Sequence, residues 1–407
     1  MTIKPYPQYK PTNLAWLSQI PEHWESVRIG HIFSERREVV SDKDFQPLSV
    51  TMQGIVPQLD TAAKTNNGDN RKKVCKGDFV INSRSDRKGS SGISLADGSV
   101  SVINTVLNPR EAVSPQYIEY SLKSYHFKEE FYRYGKGIVD DLWSTKFSSM
   151  KQMWIPLPPP AEQTAIAEFL DRKTTQIDTA IAKKKQLIEL LKEQKQAMIS
   201  NTVKSYCNNF QKVKLSYLTN KITDGTHSTP TYTSSGVPFV RVTDIQQGDI
   251  NLDNVAFISK EEHEELVKRC KPEKGDVLLS KNGTIGKTKV IDWDWDFSIF
   301  VSLCLIKPRK NLNPYYLSLF LQTEDAILQM LDGSKTTSVT NLHLEKIREV
   351  KILLPSLEIQ ATIIDHIERE SQQIDTTISR IEREIELLKE YRTTLIANAV
   401  TGKIKVI

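Results

Sequence analysis

Three short polar stretches hold the residue types that could do chemistry. Lys281-Asn282-Gly283-Thr284-Ile285-Gly286-Lys287-Thr288 resembles a phosphate-binding loop, but that motif needs a glycine five positions before Gly286, where Lys281 stands. What remains is a glycine-rich turn after an apolar run, with lysine, asparagine and threonine donors for solvent or for a polymer backbone. Ser83-Arg84-Ser85-Asp86-Arg87-Lys88-Gly89-Ser90-Ser91-Gly92 follows a second apolar run, and its cations and hydroxyls suit phosphate and base-edge contacts. A plain solvated turn accounts for either stretch taken alone. The third, Thr223-Asp224-Gly225-Thr226-His227-Ser228-Thr229-Pro230, holds a lone histidine with no second histidine or cysteine at metal-ligand spacing, so zinc is not expected. No Gly-x-Ser-x-Gly elbow and no dinucleotide-type glycine fingerprint is present. Asn108-Pro109-Arg110 and Asn313-Pro314-Tyr315 fall short of the Asn-Pro-Pro-aromatic loop of amino-methyltransferases, and His263 and His366 lie among helical charges. No catalytic set assembles.

The elements that position these loops occur twice. Gln163 aligns with Gln360, and the match then runs without a gap: Gln176-Ile177-Asp178-Thr179 recurs as Gln373-Ile374-Asp375-Thr376, and Ile188-Glu189-Leu190-Leu191-Lys192-Glu193 as Ile385-Glu386-Leu387-Leu388-Lys389-Glu390. Proline precedes both copies and neither has Pro or Gly inside, so each predicts a long helix. In the second copy Ile374, Ile378, Ile381, Ile385, Leu388, Arg392, Leu395 and Ala399 follow spacings of four and three, a coiled-coil seam. The first copy places Ile177, Ile181, Lys184, Ile188, Leu191, Lys195, Met198 and Thr202 on the same frame. Its lysines can lay their stems on apolar surface with the charge outside. Each helix needs a partner for its stripe, and with a globular segment between them the two can pair antiparallel.

The globular segments are weaker copies of one another. Lys76-Gly77-Asp78-Phe79-Val80-Ile81-Asn82-Ser83 parallels Lys274-Gly275-Asp276-Val277-Leu278-Leu279-Ser280-Lys281, and Pro115-Gln116-Tyr117-Ile118 parallels Pro314-Tyr315-Tyr316-Leu317. Each segment ends in an alternating strand into proline, Met153–Pro158 and Val350–Pro355. An irregular Pro/Tyr arm, with Trp16 and Trp24 to pack it down, begins the chain, and one helix is expected over Pro115–Tyr134. The expected fold is α+β: two mixed α/β globular domains, 1–157 and 206–354, separated by an antiparallel two-helix coiled coil (158–205 and 355–407, the latter including a C-terminal tail), as a pseudo-two-fold internal repeat.

A chain of 407 residues suits two or three domains. With 39% apolar and 26% charged residues it reads as a globular protein, and no run of apolar residues reaches membrane-span length. Four scattered cysteines favour reduced thiols and a cytoplasmic location over a disulfide frame. A net charge of +5 permits a nucleic-acid partner without demanding one. A coiled-coil adaptor holding two protein-binding domains fits these numbers as well.

Over essentially its whole length the sequence resembles the specificity subunits of type I restriction-modification systems. The marks are Trp16-Leu17-Ser18-Gln19-Ile20-Pro21-Glu22-His23-Trp24, Asp224-Gly225-Thr226-His227-Ser228-Thr229-Pro230, Lys274–Ser280, Pro158-Pro159-Pro160-Ala161-Glu162-Gln163 and Ala399-Val400-Thr401-Gly402-Lys403-Ile404. Two departures stand out: Leu357-Glu358-Ile359-Gln360 lacks the Glu-Gln pair, and the first domain lacks a clear Asp-Gly-x-His turn. The resemblance implies a non-catalytic reader of double-stranded DNA, with one target-recognition domain per half-site of a bipartite sequence. It implies no cofactor in this chain: two methylation subunits carry S-adenosylmethionine, and two endonuclease/translocase subunits join for cleavage. The implied DNA contacts are Arg84, Ser85, Arg87, Lys88 and Lys136 in the first domain, and Thr226, His227, Lys281, Asn282, Thr284, Lys287, Lys335 and Thr336 in the second.

Overall fold

The computed structural model describes residues 4–59, 68–110, 113–137, 143–207, 209–245, 250, 252, 254–283, 285–331 and 342–406. The chain forms two compact units, Met1–Lys184 with Arg383–Ile407, and Lys185–Glu382. Each is built around a four-stranded antiparallel sheet. In unit 1 the strands are β1 (Phe33–Glu35), β2 (Phe79–Asn82), β3 (Ser91–Ile93) and β4 (Asn104–Pro109), in the order β3-β2-β4-β1. In unit 2 they are β5 (Thr219–Asp224), β6 (Val277–Ser280), β7 (Thr288–Val290) and β8 (Leu303–Pro308), in the matching order β7-β6-β8-β5.

The central strands β2 and β6 are buried on both faces, as continuous apolar runs require. Side chains alternate across a strand. Phe79 and Ile81 therefore enter the main core of unit 1, while Val80 meets Val74, Val100 and Val106 in a smaller one. Val277 and Leu279 face the main core of unit 2, and Leu278 meets Val240, Phe297 and Ile299 on the other side. The Lys-Gly-Asp repeat before each strand is a turn. Gly77 and Gly275 sit at φ +91 and +89, where a side chain would be strained. Asp78 accepts from Cys75 N at 2.7 Å, and Asp276 from Glu273 N at 2.9 Å. A cation from elsewhere in the sheet balances each carboxylate, Arg36 on Asp78 (2.7 Å) and Lys307 on Asp276 (2.6 Å).

Two expectations need correction. Pro115–Tyr134 holds two helices, Pro115–Lys123 and Tyr125–Arg133, because Ser124 turns extended and caps the second by accepting from Phe127 N. Thr323 does the same between Pro314–Leu321 and Glu324–Met330. The N-terminal arm is not irregular: Tyr9–Leu14 and Leu17–Pro21 form an antiparallel hairpin. Its tryptophans do pack down, with Trp24 fully buried and Trp16 stacked on His126 at 5.4 Å.

The repeated sequences form helices over Pro160–Cys207 and Leu357–Val400. Gln163 and Gln360, both buried, do one job twice. Gln163 donates to Pro158 O and accepts from Ser114 N; Gln360 donates to Pro355 O and accepts from Asn313 N. Ser114 and Asn313 are the N-caps of the Pro115 and Pro314 helices, so each glutamine ties a long helix to its unit's sheet-side helix. Glu162 has no counterpart because only unit 1 has the arm: Tyr6 O–H donates to Glu162, and His23 Nε2 lies 2.8 Å from it.

The helices run antiparallel within each unit. In unit 1 Arg392 reaches Asp178 at 3.0 Å and Lys184 pairs with Glu384. In unit 2 Lys195 reaches Asp375 at 2.7 Å, and Tyr206 packs on His366. Every seam position is at least half-buried, and its three cations each find a carboxylate on the opposite helix. Among the described residues no helix is long and apolar enough to cross a membrane.

Candidate nucleic-acid interface

The polar loops leave the central strands at matched places. Asn82 N donates to Ser90 O at 2.9 Å, and Ser280 N to Lys287 O at 2.8 Å. A returning segment then closes each loop's first residue, Thr145 N on Ser83 O (2.9 Å) and Leu342 N on Lys281 O (3.0 Å). Backbone bonds on both sides thus fix the roots of Ser83–Gly89 and Lys281–Gly286.

In unit 1 the returning segment gathers residues far apart in sequence. Ser144 and Lys136 exchange both backbone bonds at 3.1 Å, and Ser85 N donates to Trp143 O at 3.2 Å. Arg84, Ser85 and Lys136 therefore share one edge, where Arg84 and Lys136 are exposed and Ser85 Oγ is enclosed without a partner. Arg84 lines a cleft of about 620 Å³ together with Arg37, Lys72, Ser144 and Lys146. Arg37, Lys72 and Lys146 escaped the sequence reading, since they come from three other segments and no local pattern marks them. Arg87 is exposed, with only a loose 3.8 Å contact to Asp86. Lys88 points elsewhere: its ammonium is 2.7 Å from Glu129 and lies over the Tyr132 ring.

Unit 2 is organised by Asp224. Its carboxylate is nearly enclosed and receives Lys281 Nζ at 2.8 Å, His227 Nε2 at 3.3 Å and the Arg269 guanidinium. Burial pushes this carboxyl up, but the Lys281 hydrogen bond and the surrounding cations outweigh it and hold it below the ordinary carboxylate range. Lys281 was expected on the contact surface, yet it is 3% exposed and spent on this pair. A buried carboxylate next to an apolar strand end requires such a partner. Gly225 is needed because a Cβ there would lie 2.0 Å from Ile299 O. Thr226 Oγ1 accepts from Ser228 N, shaping the turn, and His227 is exposed. Asn282 is half-buried with Oδ1 enclosed and unpartnered, whereas Lys287 is exposed. Thr284, Lys335 and Thr336 lie outside the described residues.

This is a duplicated sheet with a polar, partly cationic loop at the same edge of each copy, tied to paired long helices. Residues 207–387 match the family model described as "Type I restriction modification DNA specificity domain". The EcoKI specificity subunit of Escherichia coli (strain K12) is 24% identical over 317 residues, covering 74% of this chain and 68% of that one. The MjaVIII specificity subunit of Methanocaldococcus jannaschii is 23% identical over 433 residues, covering 95% and 94%. A chain from a solved structure concerning assembly and conformational transition of the type I R-M system has the same fold. Its TM-score is 0.63 at 17% identity, over 94% of this chain and 99% of that one. Residues 207–387 thus match a type I restriction-modification DNA specificity domain, and the chain as a whole is similar to specificity subunits of such systems.

Proposed function

We propose that this chain reads a bipartite double-stranded DNA target, one half-site per unit, and catalyses nothing itself. The observation that carries the reading is the recurrence of one loop at one sheet edge in both units, with exposed cations on each. Phosphate contacts would set register, while arginine to guanine and asparagine to adenine would specify bases. In unit 1 the groups offered are Arg84, Arg87 and Lys136, joined by Arg37 and Lys146. In unit 2 they are Thr226, His227, Asn282 and Lys287, with Lys281 as a positioning residue; Thr284, Lys335 and Thr336 belong to the same proposal. The chain would work in the cytoplasm, scaffolding two methylation subunits, which carry S-adenosylmethionine, and two endonuclease/translocase subunits.

Selection of bound sequences from random duplex, by the chain together with its methylation partner, tests this. The expected product is two short blocks at fixed separation, with log affinity falling steeply against log salt. Sequence-independent recovery, or binding indifferent to salt, would favour the adaptor reading.

A further inference from the structure

A second cleft of about 500 Å³ in unit 1 shares Ile103 with the Arg84 cleft. Its walls include Met52 at the tip of the Leu48–Thr51/Gly54–Pro57 hairpin, Gln58 at the hairpin's open end, and Asp86 and Arg87 from the polar loop. On its lining lies Asn104, a residue 5% exposed. Asn104 Nδ2 donates to Ser101 O at 3.0 Å, which fixes the amide's orientation and leaves Oδ1 enclosed with no partner. Buried acceptors are seldom left unpaired, and one beside a cleft marks a place for a donor. The matched position in unit 2 is apolar: Asn104 pairs with Asn82 across the sheet as Leu303 pairs with Ser280. The fold therefore does not require an amide there.

We propose that this cleft is the base-reading cavity of unit 1. In it Asn104 Oδ1 accepts, through one ordered water, a hydrogen bond from the exocyclic amino group of adenine or cytosine. The inference rests on the DNA-reading function above. The chemistry follows from the major groove, where adenine N6 and cytosine N4 are the only base-pair donors; guanine and thymine present acceptors. A duplex edge is too broad to reach that atom. One water admitted from the cleft, which carries polar and apolar groups alike, can bridge the two once the side chain turns slightly toward it, and bridging waters carry specificity. Met52, 65% exposed at the hairpin tip, supplies the apolar surface that lies against the neighbouring base edge.

The test uses the complex with the methylation partner and compares selection from random duplex by the parent chain, Asn104→Leu (the side chain of the other unit) and Met52→Ala. Asn104→Leu should lose a preference for adenine or cytosine at one position of the first half-site by about tenfold, and the second half-site should stay unchanged. Replacing that base by purine or 2-pyrimidinone, which lack the amino group, should weaken the parent by a similar factor and leave Asn104→Leu unaffected. Met52→Ala, whose exposed side chain is not needed for folding, should relax the adjacent position. If Asn104→Leu does not fold, the amino-deleted duplexes and Met52→Ala decide. Two-block selection by the parent that neither the variants nor the analogues alter overturns this inference alone. A parent that selects no sequence overturns the DNA-reading function beneath it.

Discussion

Lys281 Nζ donates to Asp224 Oδ2 at 2.8 Å, and both side chains are almost fully enclosed. The lysine opens the loop that follows β6, and the aspartate closes β5 and opens the Asp-Gly-Thr-His turn. One ion pair therefore joins two stretches that look like separate surface motifs in the sequence. Lys281 is buried against the turn and paired with its carboxylate.

Removing one partner strands a buried charge, which costs about 3–5 kcal/mol. Lys281→Ala and Asp224→Ala should each destabilise unit 2 by that order, and the double variant Lys281→Met/Asp224→Leu should lose less than the two together. Denaturant unfolding measures this. Single variants as stable as the parent would place the pair in water.

Acid should unfold unit 2 partly through the same group. Asp224 is depressed in the fold, so its stabilisation is present above the unfolded carboxylate value of about 3.9 and is lost as pH falls through the folded value. Asp224→Asn should flatten the acid limb of stability against pH. An identical limb in parent and variant would show that other carboxylates set it.

Much of this architecture was legible, because the signals were covalent patterns: a gapless repeat, seam spacing and Lys-Gly-Asp before each central strand. Periodicity gave the long helices but could not show that Lys184, Lys195 and Arg392 find acids across the seam. The break at Ser124 was missed because helical periodicity continues through it, while the cap is a local backbone choice. The site was less legible. Exposed and buried lysines look alike in sequence, and only the fold brings Arg37, Arg84 and Lys146 to one cleft or gives Lys281 an acid.

Gln163 and Gln360 act as clamps, and their amides are buried with both ends satisfied. Gln163→Leu and Gln360→Leu leave the Ser114 and Asn313 N–H groups without that acceptor, a loss of about 1–3 kcal/mol each. Thermal or denaturant unfolding of the full chain measures it. Losses within error of zero for both would mean water replaces the amide.

The helix ion pairs are exposed, so each contributes only about 0–1 kcal/mol, less in high salt. Their register is the sharper quantity. Lys195→Glu should weaken stability slightly, and adding Asp375→Lys should restore it, a coupling that fades with salt. A double-mutant cycle reads the coupling directly. No coupling at low salt would contradict the antiparallel register within unit 2.

The exposed cations separate by what they already hold. Arg84 and Lys287 have no ion pair among the described residues, and Arg87 has a loose one, whereas Lys88 is held by Glu129 and Tyr132. A cation without a partner gives up little to meet DNA; one already paired must first break its contacts. Arg84→Ala and Arg87→Ala should therefore weaken binding through the first half-site, and Lys287→Ala through the second, more than Lys88→Ala does. A lost base contact should cost about 1–3 kcal/mol and relax one position. A lost phosphate contact should weaken all sequences alike and lower the salt slope by about one. Titrations of the complex with parent and single-mismatch duplexes at several salt concentrations distinguish the two. If Lys88→Ala is the most damaging and the three others bind as the parent does, the reading surface lies on the Glu129 side of the loop and not at its open edge.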